Sequence, residues 1–268
     1  MIRTLASWIL GGLLNVSMAA EVQTFAPKLY AFENGLSSLP PIEGVRLLKQ
    51  LGYQGVGSVN TTKLAAIQAA CNAEDFPLVS IYVGGRVNSE NYELEAGLTP
   101  AIRSLKGSQA IVELFLQKGP QSTDAQAIAM VREVAEQAAA AGLRVVIYPH
   151  AYFHVERVDH ALRIAKATKM DNVGVAFNLC HFLKTQPGED LAKNLRDAAP
   201  RLWSVSLCGA DRDGRDWGKL IRPLDEGDFD QKNLLDHFRT LGYGGSIGLQ
   251  CYNIRIAPAE QGRNLYRI

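Results

Sequence analysis

Cysteine is scarce in this chain: four in 268 residues, at Cys71, Cys180, Cys208 and Cys251, with no C-x-x-C pair. So few, so far apart, they exclude a disulfide scaffold. Neither sign of charge is in excess, with 28 Lys and Arg against 27 Asp and Glu and no long basic run. The footprint that a phosphate backbone requires is therefore missing, and nucleic acid is not an expected partner. No G-x-G-x-x-G follows the first strand candidate, where the sequence reads Glu33-Asn34-Gly35-Leu36; this argues against an open doubly wound sheet that binds a dinucleotide. No stretch rich in Pro, Gly and Ser divides the chain, and Pro40-Pro41 reads as a stiff loop.

Long apolar runs are also lacking, except at the N-terminus. In the first twenty residues Arg3 is the only charge, Leu5 to Val16 is largely apolar, and Ser17-Met18-Ala19-Ala20 closes the run with small side chains. That is the make-up of a secretory signal peptide. Its apolar part is too short for a spanning helix, which needs about 20 residues. The expected organisation is a signal peptide over 1–20, then one domain over 21–268. The mature protein is expected in the periplasm or outside the cell, without stable membrane insertion.

What is present is alternation. From Leu29 onward, short β-branched runs trade places with stretches of helical period, eight times over, as a parallel α/β fold demands. The strand candidates are Leu29–Glu33, Gly55–Val59, Leu78–Val83, Ala110–Leu116, Arg144–His150, Val173–Asn178, Trp203–Cys208 and Ser246–Tyr252. Helices are predicted over Asp124–Ala141, Val155–Lys169, Gly188–Ala199 and Asp230–Leu241. Eight such units fit the usual length of a single (β/α)8 TIM barrel, and in that fold the strand C-termini face the substrate.

Polar residues at those ends are the candidate site. Of five histidines, His150 closes the fifth strand and His181 follows the sixth, a placement suited to a general base or to metal ligation. His154, His160 and His237 fall in loops or helices and read as structural. Asn178 and Gln250, ending the sixth and eighth strands, offer carbonyl oxygens to a cation or a sugar hydroxyl, or bond neighbouring loops. Glu113 interrupts the apolar fourth strand. Facing inward it is a candidate acid or base of raised pKa; facing outward, the simpler expectation, it pairs with a cation. Tyr82, Tyr148 and Tyr252 stand at strand ends, and Asp211 and Trp217 lie in a charged loop after the seventh strand. All five are candidates to bind substrate, Trp217 as a flat face for a sugar. A carboxylate pair across a pocket, Glu113 with Asp211, Asp213 or Asp216, would instead point to a glycosidase. Cys180, Cys208 and Cys251 follow successive strands and are expected as small buried thiols, with a bridge between two of them left open.

Several of these segments carry a resemblance. Val173 to His181 looks like a strand ending in Asp-x-x-His, Tyr148-Pro149-His150 like a Glu-Asn-His segment, Pro223 to Asp230 like a Pro-x-Gly-x-Gly-x-Asp turn, and Gly244 to Gln250 like a last strand ending in Glu. Together they resemble the xylose isomerase-like TIM barrels, the sugar phosphate isomerase/epimerase group, from about Leu29 to the C-terminus. The resemblance implies a divalent cation held by carboxylates and histidine, and proton transfer beside a sugar carbonyl. This chain departs from the pattern: Tyr148, Asn178 and Gln250 stand where carboxylates would, and Ser206 or Cys208 where a histidine would. His150 and His181 remain, so the implied metal set is His150, Asn178, His181 and Gln250. Lacking carboxylates, it would favour Zn2+, Co2+ or Ni2+ over Mn2+. The expected activity is isomerisation, epimerisation or β-elimination on a small carbohydrate, the last as a keto-glycoside lyase, with His150, His181 and Glu113 catalytic. A sugar-binding barrel without catalysis is the rival, and an oligomer is compatible with either. Export disfavours a phosphorylated substrate.

Overall fold

The structure is a computed structural model that describes residues 25–254. The segment read as a signal peptide, 1–20, lies outside the described residues. The strands run β1 (Leu29–Phe32), β2 (Val56–Ser58), β3 (Leu78–Val87), β4 (Tyr92–Leu94), β5 (Ile111–Lys118), β6 (Arg144–Ile147), β7 (Val173–Asn178), β8 (Leu202–Leu207) and β9 (Ile247–Leu249). Parallel pairing passes from β1 through β2, β3, β5, β6, β7, β8 and β9 and returns to β1, so eight strands close a barrel. Among the described residues only β4 stands outside this ring, antiparallel to the far end of β3. The fold is the single (β/α)8 barrel expected.

The helices are α1 (Pro41–Gln50), α2 (Leu64–Glu74), α3 (Leu98–Ser104), α4 (Asp124–Ala140), α5 (Val158–Thr168), α6 (Leu179–Thr185), α7 (Leu191–Ala198), α8 (Trp217–Leu220) and α9 (Gln231–Thr240). α4 shows why they form. Thr123 caps it by accepting from the Gln126 N–H at 3.3 Å, and Ala127, Met130, Val131, Val134, Ala135 and Ala138 make its buried stripe. Gly142, at φ 75°, ends it in a conformation that side chains avoid. Among the described residues no helix is long and apolar enough to cross a membrane.

Three local departures shape the mouth of the barrel. β6 stops at Ile147 rather than His150, because Pro149 has no N–H to give the ladder. The chain then turns, closed by His150 N–H to the Val155 carbonyl at 2.9 Å. α6 begins directly at the end of β7, with no linker, and so lifts His181 onto a first helical turn. Gly248 faces the ring of Tyr30, whose Cζ lies 2.5 Å from where a Cβ would sit, so that the tyrosine occupies the barrel interior. All four cysteines are buried free thiols, which settles the open bridge against a disulfide.

Candidate functional site

A cavity of about 580 Å3 opens at the C-terminal ends of the strands. Tyr82, Tyr148, His150, His181, Trp217, Gln250 and Tyr252 all line it. Seven of the residues singled out in the sequence therefore converge. Asn34, Phe115, Gln117, Tyr152 and Phe153 complete much of the wall, and among the described residues no Asp, Glu, Lys or Arg lines it.

The two imidazoles form its centre. Their ring centroids are 4.0 Å apart, and Phe153 stacks on the other side of His150 at 4.0 Å. Their roles are set by one residue between them. His150 Nδ1 lies 2.8 Å from the Ala151 carbonyl oxygen, which can only accept, so Nδ1 carries the proton and Nε2 is bare. The Ala151 N–H, 3.4 Å from His181 Nδ1, can only donate, so in His181 the proton sits on Nε2. Assigned from these partners, the pair presents one acceptor and one donor. Burial pushes the His150 pKa below its usual 6.5, against the pull of the Ala151 carbonyl and the Glu156 charge. His181 is lowered further, by burial and then by the neighbouring His150. Both are neutral at neutral pH. The turn that holds them contains Tyr152 at φ 72°, a left-handed non-glycine residue whose N–H is bound by Glu156.

Beneath this pair Asn178 is fully committed. Its amide nitrogen donates to the Tyr148 hydroxyl and to Ser206 Oγ at 2.8 Å, while Oδ1 receives the His181 N–H at 3.2 Å and the Cys180 thiol at 2.9 Å. Gln250 Oε1 likewise accepts from Asn34 Nδ2 at 2.9 Å and the Tyr252 N–H at 3.0 Å. Neither carbonyl is left for a cation. The family's metal, which relies on carboxylates, does not fit a mouth whose described lining offers imidazoles, amides and a thiol but no carboxylate.

Two expectations need correction. Glu113 is inside the barrel, not outside, and does not line the cavity: it is fully buried, with Oε1 receiving Tyr30 OH at 3.2 Å and Ser204 Oγ at 2.5 Å. Burial raises its pKa to about 7, with those two hydrogen bonds opposing. Asp211 is held outside the lining by Arg222 at 2.7 Å, where the loop folds back on itself. The glycosidase pairing of Glu113 with Asp211, Asp213 or Asp216 does not form, since none of the four lines the cavity.

A second cluster gathers two of the histidines read as structural. His154 Nε2 and His160 Nε2 lie 3.1 and 2.8 Å from the same oxygen, Asp124 Oδ1. Their donor atoms are all within 4.8 Å of one another, and together they could hold a metal ion. The sequence signal was a histidine at 154, another six residues on, and an aspartate opening a helix.

The architecture recurs in solved structures. A 3-keto-D-glucoside 4-epimerase from E. coli superposes at a TM-score of 0.69 with 15% identity, covering 90% of this chain and 98% of that one. An IOLI protein with a bound zinc atom does so at 0.70 with 14% identity, covering 90% and 95%. A D-allulose 3-epimerase from Methylomonas sp., in complex with D-allulose, does so at 0.68 with 12% identity, covering 90% and 95%. No curated protein is significantly similar in sequence. The sequence profile described as xylose isomerase-like TIM barrel matches residues 45–267, and the chain belongs to that family.

Proposed function

We propose that this protein is a carbohydrate-modifying enzyme that removes a proton beside the carbonyl of a neutral sugar or keto-glycoside. The observation that carries the reading is the grip of Ala151 on both imidazoles, which presents a bare Nε2 on His150 next to a protonated Nε2 on His181. His150 takes the C–H proton and becomes an imidazolium, its Nδ1–H still on the Ala151 carbonyl and its charge favoured by Glu156. His181 donates to the carbonyl oxygen as it becomes an enolate oxygen, the work of a neutral imidazole kept from ionising. Return of the proton to the former carbonyl carbon, with the hydroxyl proton of the deprotonated carbon passing to the former carbonyl oxygen by way of His181, gives an isomer, and delivery to the opposite face of the same carbon gives an epimer. Where a substituent lies β to the carbonyl, its departure with the His150 proton gives elimination.

A wall that holds no Asp, Glu, Lys or Arg among the described residues suits an unphosphorylated substrate. That agrees with export, which we propose from the N-terminal segment. The names of two structures of like fold, a 3-keto-D-glucoside 4-epimerase and a D-allulose 3-epimerase, support the same substrate class.

The test is hydrogen exchange. Keto-glycosides and ketoses incubated with the protein in D2O should gain deuterium at the carbon beside the carbonyl, as read by NMR, and His150→Ala should abolish the gain while binding persists. A second reading, a sugar-binding barrel, is favoured by a cavity wall without carboxylates among the described residues. Sugars that bind tightly yet never exchange, in wild type and variant alike, would establish it over the enzyme.

A further inference from the structure

Outside the cavity, the Asp124, His154 and His160 cluster has the build of a metal site. Asp124 opens α4, His160 is on the first turn of α5, and His154 belongs to the turn between β6 and α5. We propose that these three residues bind one Zn2+ through Asp124 Oδ1, His154 Nε2 and His160 Nε2, and that the ion clamps the turn carrying His150 to the ends of two helices.

The donor set is two imidazoles and a carboxylate, borderline ligands that suit Zn2+ better than Ca2+ or Mg2+. Ligands at the usual zinc distances stand roughly 3.3 Å apart around a tetrahedron. The two nitrogens are now 3.1 and 2.8 Å from Asp124 Oδ1, close to that spacing, and all three donor atoms lie within 4.8 Å of one another. Asp124 is partly exposed, which leaves room for a water as the fourth ligand.

Two further contacts are those of groups that orient ligands rather than bind metal. Ser122 Oγ lies 2.9 Å from His154 Nδ1. A hydroxyl donates or accepts, so Ser122 serves His154 in either tautomer, including the one with Nε2 bare for the cation. Arg163 holds the other carboxylate oxygen, Oδ2, at 3.2 Å, leaving Oδ1 to the histidines. Its charge, with that of Lys118 near His154, weakens cation binding, so affinity below that of a cysteine-built site is expected.

The position gives the ion a consequence. His154 also donates its backbone N–H to the Leu116 carbonyl at 2.8 Å, and its neighbour Phe153 stacks on His150. A cation at His154 therefore stiffens the segment from which His150 and Ala151 reach the cavity.

The experiment is zinc titration of the untagged, EDTA-treated chain. Calorimetry and elemental analysis should find one equivalent bound, with a rise in melting temperature, and the 15N imidazole signals of His154 and His160 should move. Asp124→Asn and His160→Ala should weaken binding by tenfold or more and lose the thermal shift, while His150→Ala keeps both. If wild type takes up no Zn2+ in excess metal, the cluster is a hydrogen-bonded triad only and the proposal fails. It fails equally if uptake survives His160→Ala but disappears in His150→Ala, because the ion would then sit in the cavity.

Discussion

His150 and His181 lie ring to ring at 4.0 Å and are held in opposite tautomers by the carbonyl and the N–H of Ala151. The arrangement makes them unequal. Loss of the base in His150→Ala should lower kcat by about a hundredfold to ten-thousandfold, the usual worth of a positioned proton acceptor. His181→Gln keeps an N–H donor and should lose less.

The pH profile follows from the same pair. With His150 as the proposed base, activity needs it neutral, and burial holds its pKa below 6.5. Activity should therefore survive mild acid, and the acid limb of kcat/KM should have its midpoint below 6.5, shifted upward when the cavity is opened by Phe153→Ala. A midpoint at or above 6.5 in wild type would mean that another group acts as base.

Asn178 is a third test, because it caps α6 and ties β7 to Tyr148 and Ser206 at once. Asn178→Ala removes the cap and strands two buried hydroxyls. The combined cost is about 3 kcal/mol, measurable by urea unfolding. The kcat should fall as well, since the His181 N–H loses its acceptor. A metal ligand would behave otherwise: its loss would be felt only when the ion is present.

The barrel itself was readable because its strands are buried on both faces, and Val173–Asn178 emerges from the sequence with the bounds it has in space. Local chemistry was readable where it acts through neighbours in the chain, as with Gly142 at the end of α4. What escaped depends on distant partners. The hydroxyls that draw Glu113 inward come from Tyr30 and Ser204, 83 and 91 residues away. Asp211 follows a barrel strand as site residues do, but its direction is decided by Arg222 across a loop. The Ala151 clamp is backbone chemistry, to which side-chain patterns give no clue.

Trp217 tests the sugar reading of the rim. It lines the cavity beside exposed Tyr152 and Tyr252, with His181 edge-on at 5.5 Å and the Lys184 ammonium 5.5 Å from its ring centre. Stacking against a sugar's C–H face is worth about 1 kcal/mol, by analogy with aromatic pairs. Trp217→Ala should accordingly raise KM by about fivefold to tenfold, and Trp217→Phe should recover most of it. Equal losses in both variants would argue against stacking.

Glu113 gives a prediction about stability rather than turnover. Its Oε2 is buried without a hydrogen-bond partner among the described residues, so the carboxylate form is poorly solvated and the neutral acid is favoured. With its pKa raised from 4.5 to about 7, the folded protein holds this proton more tightly than the unfolded chain. The resulting stability is whole below pH 4.5 and is lost as pH rises through about 7, by about 3 kcal/mol in all. Histidines with lowered pKa values act in the opposite sense below pH 6.5, so wild type alone cannot isolate the effect. The comparison with Glu113→Gln can, because the amide keeps the shape of the neutral acid and cannot ionise. Urea unfolding should show the variant gaining on wild type between about pH 5 and pH 8 by roughly 3 kcal/mol, and a difference that stays constant with pH would show that Glu113 does not hold its proton.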